Sequence, residues 1–497
     1  MTHAQPTEQP STVSAGQDQQ LAVSIDGLRE AAAGLSAHTV LTGAQRVVIG
    51  IVAVVLAVAL LLAPFTTLRA LVALATAGYA ASLIYRILLF KRGLSSDHLV
   101  DVSDEEALAM PDADLPVYTV LVPAYREPHV ISKVVAGLAA LHYPAHKLDV
   151  KLLLEADDIE TVREARTVRS TMPMQIVLVP PAEPRTKPKA CNYGLQLAEG
   201  ELVTIYDAED LPEPLQLRRA VVALRRLGAG YACVQAQLAY FNSTQNRITK
   251  WFAVEYGTWF KFLLPGLASV GAPIPLGGTS NHFRTDLLRA VGAWDPYNVT
   301  EDADLGIRLA RLGYSVGVLA SVTEEEANSD FVNWIKQRSR WYKGYLQTWL
   351  VHVRTPRILH RELGWRGAIG LHLFVAGTPL ITLINPLFWA LALIWFVGHP
   401  AWVAQLFPAA VFYVAMTCLV VGNAAVVYMS VLTTRLMRRP DLLGAALLSP
   451  VYWLMMSAAA AKAAVQLVLQ PSYWEKTTHG LQGVVHPIHA SESEAGA

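Results

Sequence analysis

Four short charged clusters lie in order along the middle of the chain, and their residue types and spacing could carry out chemistry. They read EADD at 155–158, DAED at 207–210, TED at 300–302 and QRSRW at 337–341. Carboxylates of this kind can hold a divalent metal on a diphosphate, and a later carboxylate can act as a general base. An arginine and a tryptophan in the last cluster add positive charge and a flat apolar surface. Such a set indicates transfer of a sugar from a nucleotide donor.

The composition indicates a membrane protein with a large soluble part. The 497 residues are 53% hydrophobic and 16% charged, and the mean hydropathy is +0.33, which is too apolar for an ordinary soluble protein. The formal net charge is zero, so no overall basic field exists and nucleic acid is not an expected partner. Cys191, Cys233 and Cys418 are far apart and match no metal-site spacing, so we expect free thiols in a reducing cytosol.

The N-terminal part of the chain predicts a tail and a membrane hairpin. Residues 1–42 are rich in Gln, Ser, Thr and Pro without an apolar period, which is typical of disorder. Apolar runs at 47–65 and 71–90 are each close to the roughly 20 residues that cross a bilayer, so 43–92 is expected to form a transmembrane hairpin. Positive residues concentrate at the outer ends of this hairpin, which places both ends and the following domain in the cytosol.

The C-terminal part, 351–470, predicts an interfacial segment and further transmembrane helices. Apolar density returns in three stretches, at 368–397, 408–429 and 442–469, so hydropathy gives five spans in total. An odd number puts the tail 471–497 outside, although its WEKTTHG string has the polar and aromatic character of a functional loop. If this loop belongs in the cytosol, one Pro-containing stretch must be re-entrant or pass twice, which makes six spans.

Residues 110–350, between the membrane blocks, predict an α/β domain. Short apolar, β-branched runs end in polar turns and alternate with stretches of helical period. This alternation favours a mostly parallel sheet, whose ligands lie at the carboxyl ends of the strands. The side chains that follow the first two strands suit a nucleotide base and ribose. They are Tyr125, Glu127, Glu155, Asp157 and Asp158. A solvated acidic turn is the alternative interpretation of EADD.

The order and spacing of these motifs resemble those of membrane-embedded, processive family 2 glycosyltransferases, the group of cellulose, hyaluronan and β-glucan synthases. QRSRW matches the Q-x-x-R-W signature of that family and follows TED closely in the sequence. The resemblance implies an α/β GT-A-type, Rossmann-like cytosolic domain inserted between N- and C-terminal transmembrane helices. It also implies a multi-pass protein of the cell membrane.

The resemblance extends to the metal and to the donor diphosphate. DAED resembles the family's D-x-D motif, so Asp207 and Glu209 are the expected ligands of Mg²⁺ or Mn²⁺, with Asp207 also beside the donor. A helix cap is the alternative interpretation of these residues. TKPKACN at 186–192 resembles the family's Lys-Ala-Gly-x-x-Asn segment, and Lys189 is the better match for the lysine that supports the diphosphate.

On the acceptor side, Asp302 matches the carboxylate that the family uses as general base, with Glu301 as its neighbour. One base and one inverting displacement need no covalent intermediate. Asp304 is expected to be a helix cap or a solvent-exposed residue. QRSRW is expected on a helix at the membrane face, and an interfacial amphipathic helix is its alternative interpretation. Its residues expected at the polymer end and the diphosphate are Gln337, Arg340 and Trp341.

The WEKTTHG string lies where related synthases carry a mobile gating loop. By this analogy, Trp474, Lys476 and Thr477 are expected to close over the nucleotide and exclude water.

The expected function is polymerisation of a sugar from a nucleotide-sugar donor into a β-linked polysaccharide, with UDP-glucose as the first candidate donor. The expected partners are this donor, the growing polysaccharide and the lipid bilayer, and an export or accessory partner is left open. GDP-mannose, giving a mannan, would use the same clusters. Single transfer to a membrane lipid is a second possibility, and a transporter or scaffold with a degenerate α/β domain is a third.

Overall fold

A nine-stranded mixed sheet forms the centre of the protein in the computed structural model, which describes residues 12–168, 172–471 and 473–475. Its strands, β1 to β9 in chain order, are Leu99–Val100, Tyr118–Ala124, Leu148–Glu155, Met174–Val179, Leu202–Ile205, Leu211–Pro212, Tyr231–Tyr240, Asn281–Arg284 and Ser315–Glu325. The strand order is β1-β9-β7-β8-β5-β2-β3-β4, and β6 pairs with β9. The run β5-β2-β3-β4 is parallel, whereas β8 is antiparallel to both of its neighbours.

Helices surround this sheet and continue beyond it at both ends of the chain. In chain order, α1 to α20 are Thr12–Ala32, Gly43–Leu62, Pro64–Gly93, Asp104–Ala109, Ile131–Ala139, Ile159–Thr167, Lys187–Gln196, Gln216–Leu227, Arg247–Thr258, Leu264–Ser269, Thr285–Ala290, Glu301–Arg311, Phe331–His352, Pro356–Gly370, Gly377–Gly398, Ala401–Leu406, Ala409–Thr417, Asn423–Leu436, Leu443–Leu447 and Ser449–Leu469. Short π-helical turns join α9 to α10, α14 to α15 and α17 to α18.

The central strands are rich in apolar residues because both faces of the sheet are covered. Leu121 and Leu153 point into one hydrophobic cluster, whereas Val120 and Leu152, one residue earlier, point into another. Alternate side chains of a strand face opposite sides, so each strand contributes to both clusters. The predicted α/β domain flanked by apolar helices is therefore confirmed.

The topology brings the predicted polar turns to one edge of the sheet. Strands β2, β3 and β5 are parallel neighbours, and each is followed at its carboxyl end by a polar turn. Tyr125 follows β2, EADD begins at the end of β3, and DAED follows β5. Clusters that are far apart in the sequence therefore meet at a single edge.

The expectation that residues 1–42 are disordered is wrong for the part of this segment that the structure describes. Helix α1 packs on α7, and the backbone oxygen of Ser24 accepts a hydrogen bond from Asn192 Nδ2 at 2.9 Å. Leu28 is buried, and Ala37 N donates to the carboxylate of Asp295 at 2.5 Å. The composition of this segment does not predict the helix, because the helix forms hydrogen bonds with polar residues that lie 168 or more positions later in the sequence. Residues 1–11 lie outside the described residues.

Five helices in the described part are long and apolar enough to cross a membrane, and they coincide with the five stretches predicted from hydropathy. They are Gly43–Leu62, Pro64–Gly93, Pro356–Gly398, Ala409–Leu436 and Ser449–Leu469. The first two form a hairpin that ends at the domain, where Gly93 packs against the backbone of Phe262.

The last of these helices, α20, meets the α/β domain at both ends. Near its start, Tyr452 Oη donates to Glu255 of α9 at 2.7 Å. Beyond its end, Lys343 of α13 donates to the backbone oxygens of Gln470 and Tyr473, at 3.3 and 2.6 Å. Both ends of α20 therefore lie beside the α/β domain, and the number of crossings and the side of the tail stay predictions.

Asp304 differs from its expected role as a cap or solvent residue. It is fully buried, and its two oxygens contact Arg308 Nε at 2.7 Å and His352 Nε2 at 3.0 Å. Burial alone would raise the pKa of Asp304, but Arg308 and His352 outweigh it and hold the pKa below its usual range. Arg308 also donates to the backbone oxygens of Val291 and Ala293. This network ties α12 to α13 and to the loop before Trp294.

Replacing Arg308 by Met should destabilise the protein strongly, because Asp304 would be left as a buried charge with a weakened partner. Loss of one member of a buried pair costs about 3–5 kcal/mol. The half-exposed pair of Arg439 and Asp441 provides the control, and Arg439→Met should cost less than about 1 kcal/mol. Melting of both variants in detergent measures the difference, and equal melting temperatures would contradict the prediction.

Candidate active site

A cavity of about 730 Å³ lies between the carboxyl edge of the sheet and α13. All four clusters reach it. The cluster residues that line it are Glu155, Asp207, Glu209, Glu301, Asp302, Gln337, Arg340 and Trp341. From this edge the cavity continues between α3, α15 and α18. The structure therefore brings together carboxylates, cations and an aromatic side chain at the mouth of a passage between apolar helices.

The DAED loop presents its carboxylates to this cavity in a fixed arrangement. Asp210 Oδ2 accepts hydrogen bonds from Asp207 N at 2.8 Å and from Thr279 Oγ1. Its Oδ1 has no hydrogen-bond partner within the described residues. Burial raises the pKa of Asp210 well above its usual range, and the neighbouring carboxylates add to the shift. Lys187 Nζ contacts Asp207 and offsets part of this negative charge.

A divalent cation such as Mg²⁺ or Mn²⁺ fits this loop. Asp207 and Glu209 line the cavity, and the ammonium group of Lys187 already lies against Asp207. Among the described residues, no group of three His, Cys, Asp or Glu side chains could hold a metal. Two carboxylates would need phosphate oxygens and water to complete a six-coordinate shell. The residues therefore fit a metal that binds together with a diphosphate.

Lys189 does not lie where it was expected. Its side chain is fully buried, and Nζ contacts Glu155 Oε1 at 2.7 Å and two backbone oxygens. Lys187, two residues earlier and at the start of α7, lines the cavity and donates to Gly278 O at 2.6 Å. Because successive residues of a helix point in different directions, only Lys187 of these two lysines reaches the cavity. The expectation that Lys189 faces the donor site is therefore wrong, and Lys187 is the lysine available to a ligand in the cavity.

The EADD carboxylates have three different roles. Glu155 lines the cavity and pairs with Lys189, whereas Asp157 lies on the surface side and pairs with Arg185 Nη2 at 2.9 Å. Asp158 caps α6 and accepts a hydrogen bond from Arg126 N at 2.5 Å. Asp158 therefore holds the turn. Neither Asp157 nor Asp158 lines the cavity, and their contact with a nucleotide stays a prediction.

The loop after β2 forms the other wall of this half of the cavity. Tyr125, Glu127 and Arg185 line it. Arg185 Nη1 donates to Tyr125 Oη at 3.0 Å and its guanidinium lies 5.5 Å from the ring centroid. This aromatic and cationic surface suits a nucleotide base and its phosphates.

Asp302 lies in the first turn of α12, next to Glu301, and both side chains are buried. Trp294 Nε1 donates to Asp302 Oδ1 at 3.1 Å. Burial raises the pKa of Asp302 well above its usual range, and Glu301 raises it further, while Lys187 and Trp294 oppose the shift. A carboxylate with a raised pKa is suited to accept a proton near neutral pH.

The QRSRW residues lie on α13 and face the site from the membrane side. Gln337 Oε1 and Arg340 Nε have no hydrogen-bond partner in the described part of the chain, and both residues line the cavity. Trp341 packs against the guanidinium of Arg338, at 4.6 Å, and Arg338 pairs with Glu255 at 2.5 Å. The cavity therefore has polar atoms available for a ligand beside a rigidly held aromatic ring.

Trp474 closes one side of the cavity. The guanidinium of Arg340 lies 4.6 Å from its ring centroid, and Glu475 pairs with Lys462 at 2.7 Å. The described end of the tail therefore lies at the site. The other two expected gating residues, Lys476 and Thr477, lie outside the described residues.

Sequence reasoning missed several residues that shape the site. They are Arg185, Lys187, Trp294, Glu325 and Arg338. Arg185 and Lys187 belong to a basic run just before a helix, which is a usable signal for phosphate binding. Glu325 ends strand β9 and lines the cavity, and its Oε1 has no hydrogen-bond partner among the described residues. Trp294 gives no signal in the sequence, because its role depends on a contact with Asp302.

Comparison with known proteins finds similarity to glycosyltransferases over the α/β domain. Residues 116–344 match the model of a family described as "Glycosyltransferase like family 2". A probable glycosyltransferase, YdaM of Bacillus subtilis, is 27% identical over 46% of this chain and 56% of its own length. The beta-monoglucosyldiacylglycerol synthase of a Synechocystis species is 27% identical, over 57% of this chain and 59% of its own. A probable glucomannan 4-beta-mannosyltransferase of Arabidopsis thaliana is 25% identical, over 54% and 49%.

The chain thus spans about half the length of the curated relatives that it matches. Among solved structures, the mannosyltransferase PcManGT of Pyrobaculum calidifontis, in complex with GDP-Man and Mn²⁺, matches with a TM-score of 0.52 at 21% identity. The match covers 81% of this chain and 99% of that one. The likeness shows a shared GT-A-like fold.

Two lysines that are two residues apart should respond differently to substitution. Lys187→Met should raise the donor KM or lower kcat by roughly ten- to hundredfold, because a bond to a charged group is worth about 1.5–3 kcal/mol, while the protein stays folded. Lys189→Met should instead lower the melting temperature, because Glu155 loses its buried partner. Kinetics and melting of both variants test this contrast, and the opposite pattern would restore Lys189 as the donor residue.

Proposed function

We propose that the protein, whose residues 116–344 match the family model described as "Glycosyltransferase like family 2", is an inverting, metal-dependent polysaccharide synthase. It transfers a sugar from a nucleotide-sugar donor to a growing β-linked chain and passes the product between its own membrane helices. The catalytic domain faces the cytosol in the cell membrane, where nucleotide sugars are available, and positive residues at the hairpin ends support this orientation.

The observation that carries the proposal is the continuity of the cavity. It runs from Asp302 at the sheet edge to Asn385 of α15 and Asn423 of α18, without a break. Polar side chains are rare within apolar helices and mark a substrate path where they face a cavity. Such side chains line the passage at several depths. They are Ser82, Arg86, Thr378, Thr382, Asn385, Asn423 and Ser430.

A polar constriction separates this cavity from a second one of about 340 Å³. Tyr79, Asn385 and Asn423 line both cavities, and Tyr79 Oη lies 3.4 and 3.3 Å from the two asparagine Oδ1 atoms. Beyond this constriction the walls are mainly apolar and include six aromatic side chains. Amides and hydroxyls can exchange hydrogen bonds with sugar hydroxyls, and aromatic rings pack on sugar faces. The path therefore suits a carbohydrate chain.

In the proposed sugar-transfer reaction, each step is carried out by residues that line the cavity. Asp302 takes the proton from the acceptor hydroxyl as its oxygen attacks the anomeric carbon of the donor sugar. The bond from that carbon to the diphosphate breaks, and the nucleoside diphosphate leaves with inversion at the carbon. Lys187 and Arg340 offset the negative charge on the leaving diphosphate. A divalent metal held by Asp207 and Glu209 would add Lewis-acid stabilisation of that charge.

The walls of the cavity position the acceptor and exclude water. Trp341, held by Arg338, offers a flat surface on which the terminal sugar of the chain can stack. Trp474 covers Arg340 on the other side and shields the donor from hydrolysis.

UDP-glucose is the proposed donor, and GDP-mannose is the alternative. The names of the relatives include both a glucosyl-lipid synthase and mannosyltransferases, so the family accommodates either sugar. The alternative product is a mannan, built with the same residues.

Transfer of one sugar to a membrane lipid is the second candidate function. It is favoured by the similarity to beta-monoglucosyldiacylglycerol synthases and by the aromatic walls of the second cavity, which could receive acyl chains. The polar lining before the constriction favours the polysaccharide.

Purified protein should convert one radiolabelled nucleotide sugar into high-mass product in the presence of Mn²⁺. UDP-glucose, UDP-N-acetylglucosamine and GDP-mannose are tested separately, and linkage-specific glycanases identify the product. Asp302→Asn and Trp341→Ala should each abolish polymer formation while the protein remains folded. Label confined to a chloroform-soluble fraction would identify the product as a glycolipid and not a polymer. Normal product from Asp302→Asn would exclude the proposed mechanism.

Substitution at the constriction should change product length more than transfer itself. Asn385→Leu removes a polar partner from the path, so we expect shorter products with at least half of the initial rate of sugar transfer retained. Leu387→Ala is the control, since Leu387 lies on the same helix and is exposed on the outer surface. Sizing of labelled product by gel filtration measures the effect, and an unchanged length in Asn385→Leu would contradict the assigned path.

A further inference from the structure

One hydrogen bond distinguishes the two oxygens of the Asp302 carboxylate. Trp294 Nε1 donates to Oδ1 at 3.1 Å, and both side chains are buried. Oδ2 points the other way, toward the turn formed by Gly277 and Gly278, where a Cβ on Gly278 would lie 3.8 Å from it. That turn lines the cavity. One oxygen is therefore occupied by the protein, and the other faces the cavity.

Trp294 is itself held rigidly. Asn192 of α7 accepts a hydrogen bond from Trp294 N at 3.1 Å and donates to Trp294 O at 2.8 Å. The indole ring packs edge to face on Phe283, with centroids 5.8 Å apart. Arg308 fixes the preceding turn through the backbone oxygens of Val291 and Ala293. Backbone and ring are thus fixed independently of the carboxylate.

We propose that Trp294 is a positioning residue for Asp302: its indole N–H holds Oδ1, so that Oδ2 is the atom that takes the acceptor proton. The proposal rests on the role of Asp302 given under the proposed function. An indole N–H is a donor only and is present at every pH, so it favours the ionised carboxylate without competing for the proton. A fixed rotamer also keeps Oδ2 in line with the acceptor hydroxyl.

Other charged groups face Asp302 and must stay unchanged in a test of this role. Glu301 lies beside it on α12, Lys187 on α7, Asp207 on the loop after β5, and Arg340 on α13. The thiols of Cys191 and Cys233 lie behind it, and burial raises the pKa of both. None of these groups takes part in the bond between Trp294 and Asp302.

Trp294→Phe tests the proposal, because it keeps an aromatic ring and removes only the N–H and part of the ring volume. The ionised form of Asp302 loses a stabilising bond, so the acid limb of the pH profile of kcat/KM should move to higher pH. At neutral pH, kcat should fall roughly ten- to hundredfold, with the donor KM changed less than about twofold.

Trp334→Phe is the matched control. Trp334 is fully buried, and its Nε1 makes no hydrogen bond within the described residues. The same substitution there should leave the pH profile in place, even if it lowers the melting temperature. Asn192→Ala is a second test variant, because it frees the backbone of Trp294, and its acid limb should move in the same direction by a smaller amount.

The proposal is overturned if the acid limb of the pH profile of kcat/KM is the same in Trp294→Phe as in the native protein. It is also overturned if Trp334→Phe shifts this limb as much as Trp294→Phe does. If Trp294→Phe does not fold, the profile of Asn192→Ala decides. Asp302→Asn separates a failure of this proposal from a failure of the proposed function. Full activity of Asp302→Asn would show that Asp302 is not the general base. An inactive Asp302→Asn together with an unshifted pH profile of Trp294→Phe would exclude only the positioning role of Trp294.

Discussion

The concentration of buried carboxylates at one edge of the sheet is the constraint on which the rest of the structure depends. Asp210, Glu301, Asp302 and Glu325 all reach the same cavity or its wall. Burial of like charges raises their pKa values and opposes folding unless cations lie close by. The cations come from other elements of the fold, namely Lys187 at the start of α7 and Arg340 on α13. Helix α13 therefore packs tightly on the TED turn, and a Cβ at Gly344 would overlap Thr300.

The sequence alone was sufficient to predict which motifs meet in space where the motifs directly follow parallel strands. Parallel strands that end in polar turns place EADD and DAED at one edge, and this follows from periodicity alone. The predictions were wrong where the position of a side chain depends on its direction within one helical turn, or on a contact with a residue far away in the sequence. Lys187 and Lys189 are equivalent by composition, and only the orientation of α7 separates a cavity lysine from a buried one. Trp294 and α1 depend on contacts that no local pattern encodes.

The membrane helices show the same limit. Hydropathy located all five apolar helices, because length and composition suffice for that. It could not tell that both ends of α20 lie beside the domain, since this depends on the contacts of Tyr452 with Glu255 and of Lys343 with Tyr473. As a consequence Trp474 contacts Arg340, and the described end of the tail forms part of the wall of the cavity.

The docking of α1 has a consequence for how the protein assembles in the membrane. Helix α1 precedes the hairpin of α2 and α3, and the domain follows it, so α1 and its docking site on α7 lie at opposite ends of the hairpin in the chain. Once α1 binds α7, both ends of the hairpin are attached to the α/β domain. If only one helix of the hairpin crossed the membrane, α1 and α7 would lie on opposite sides, so the docking of α1 on α7 requires that the two helices cross together.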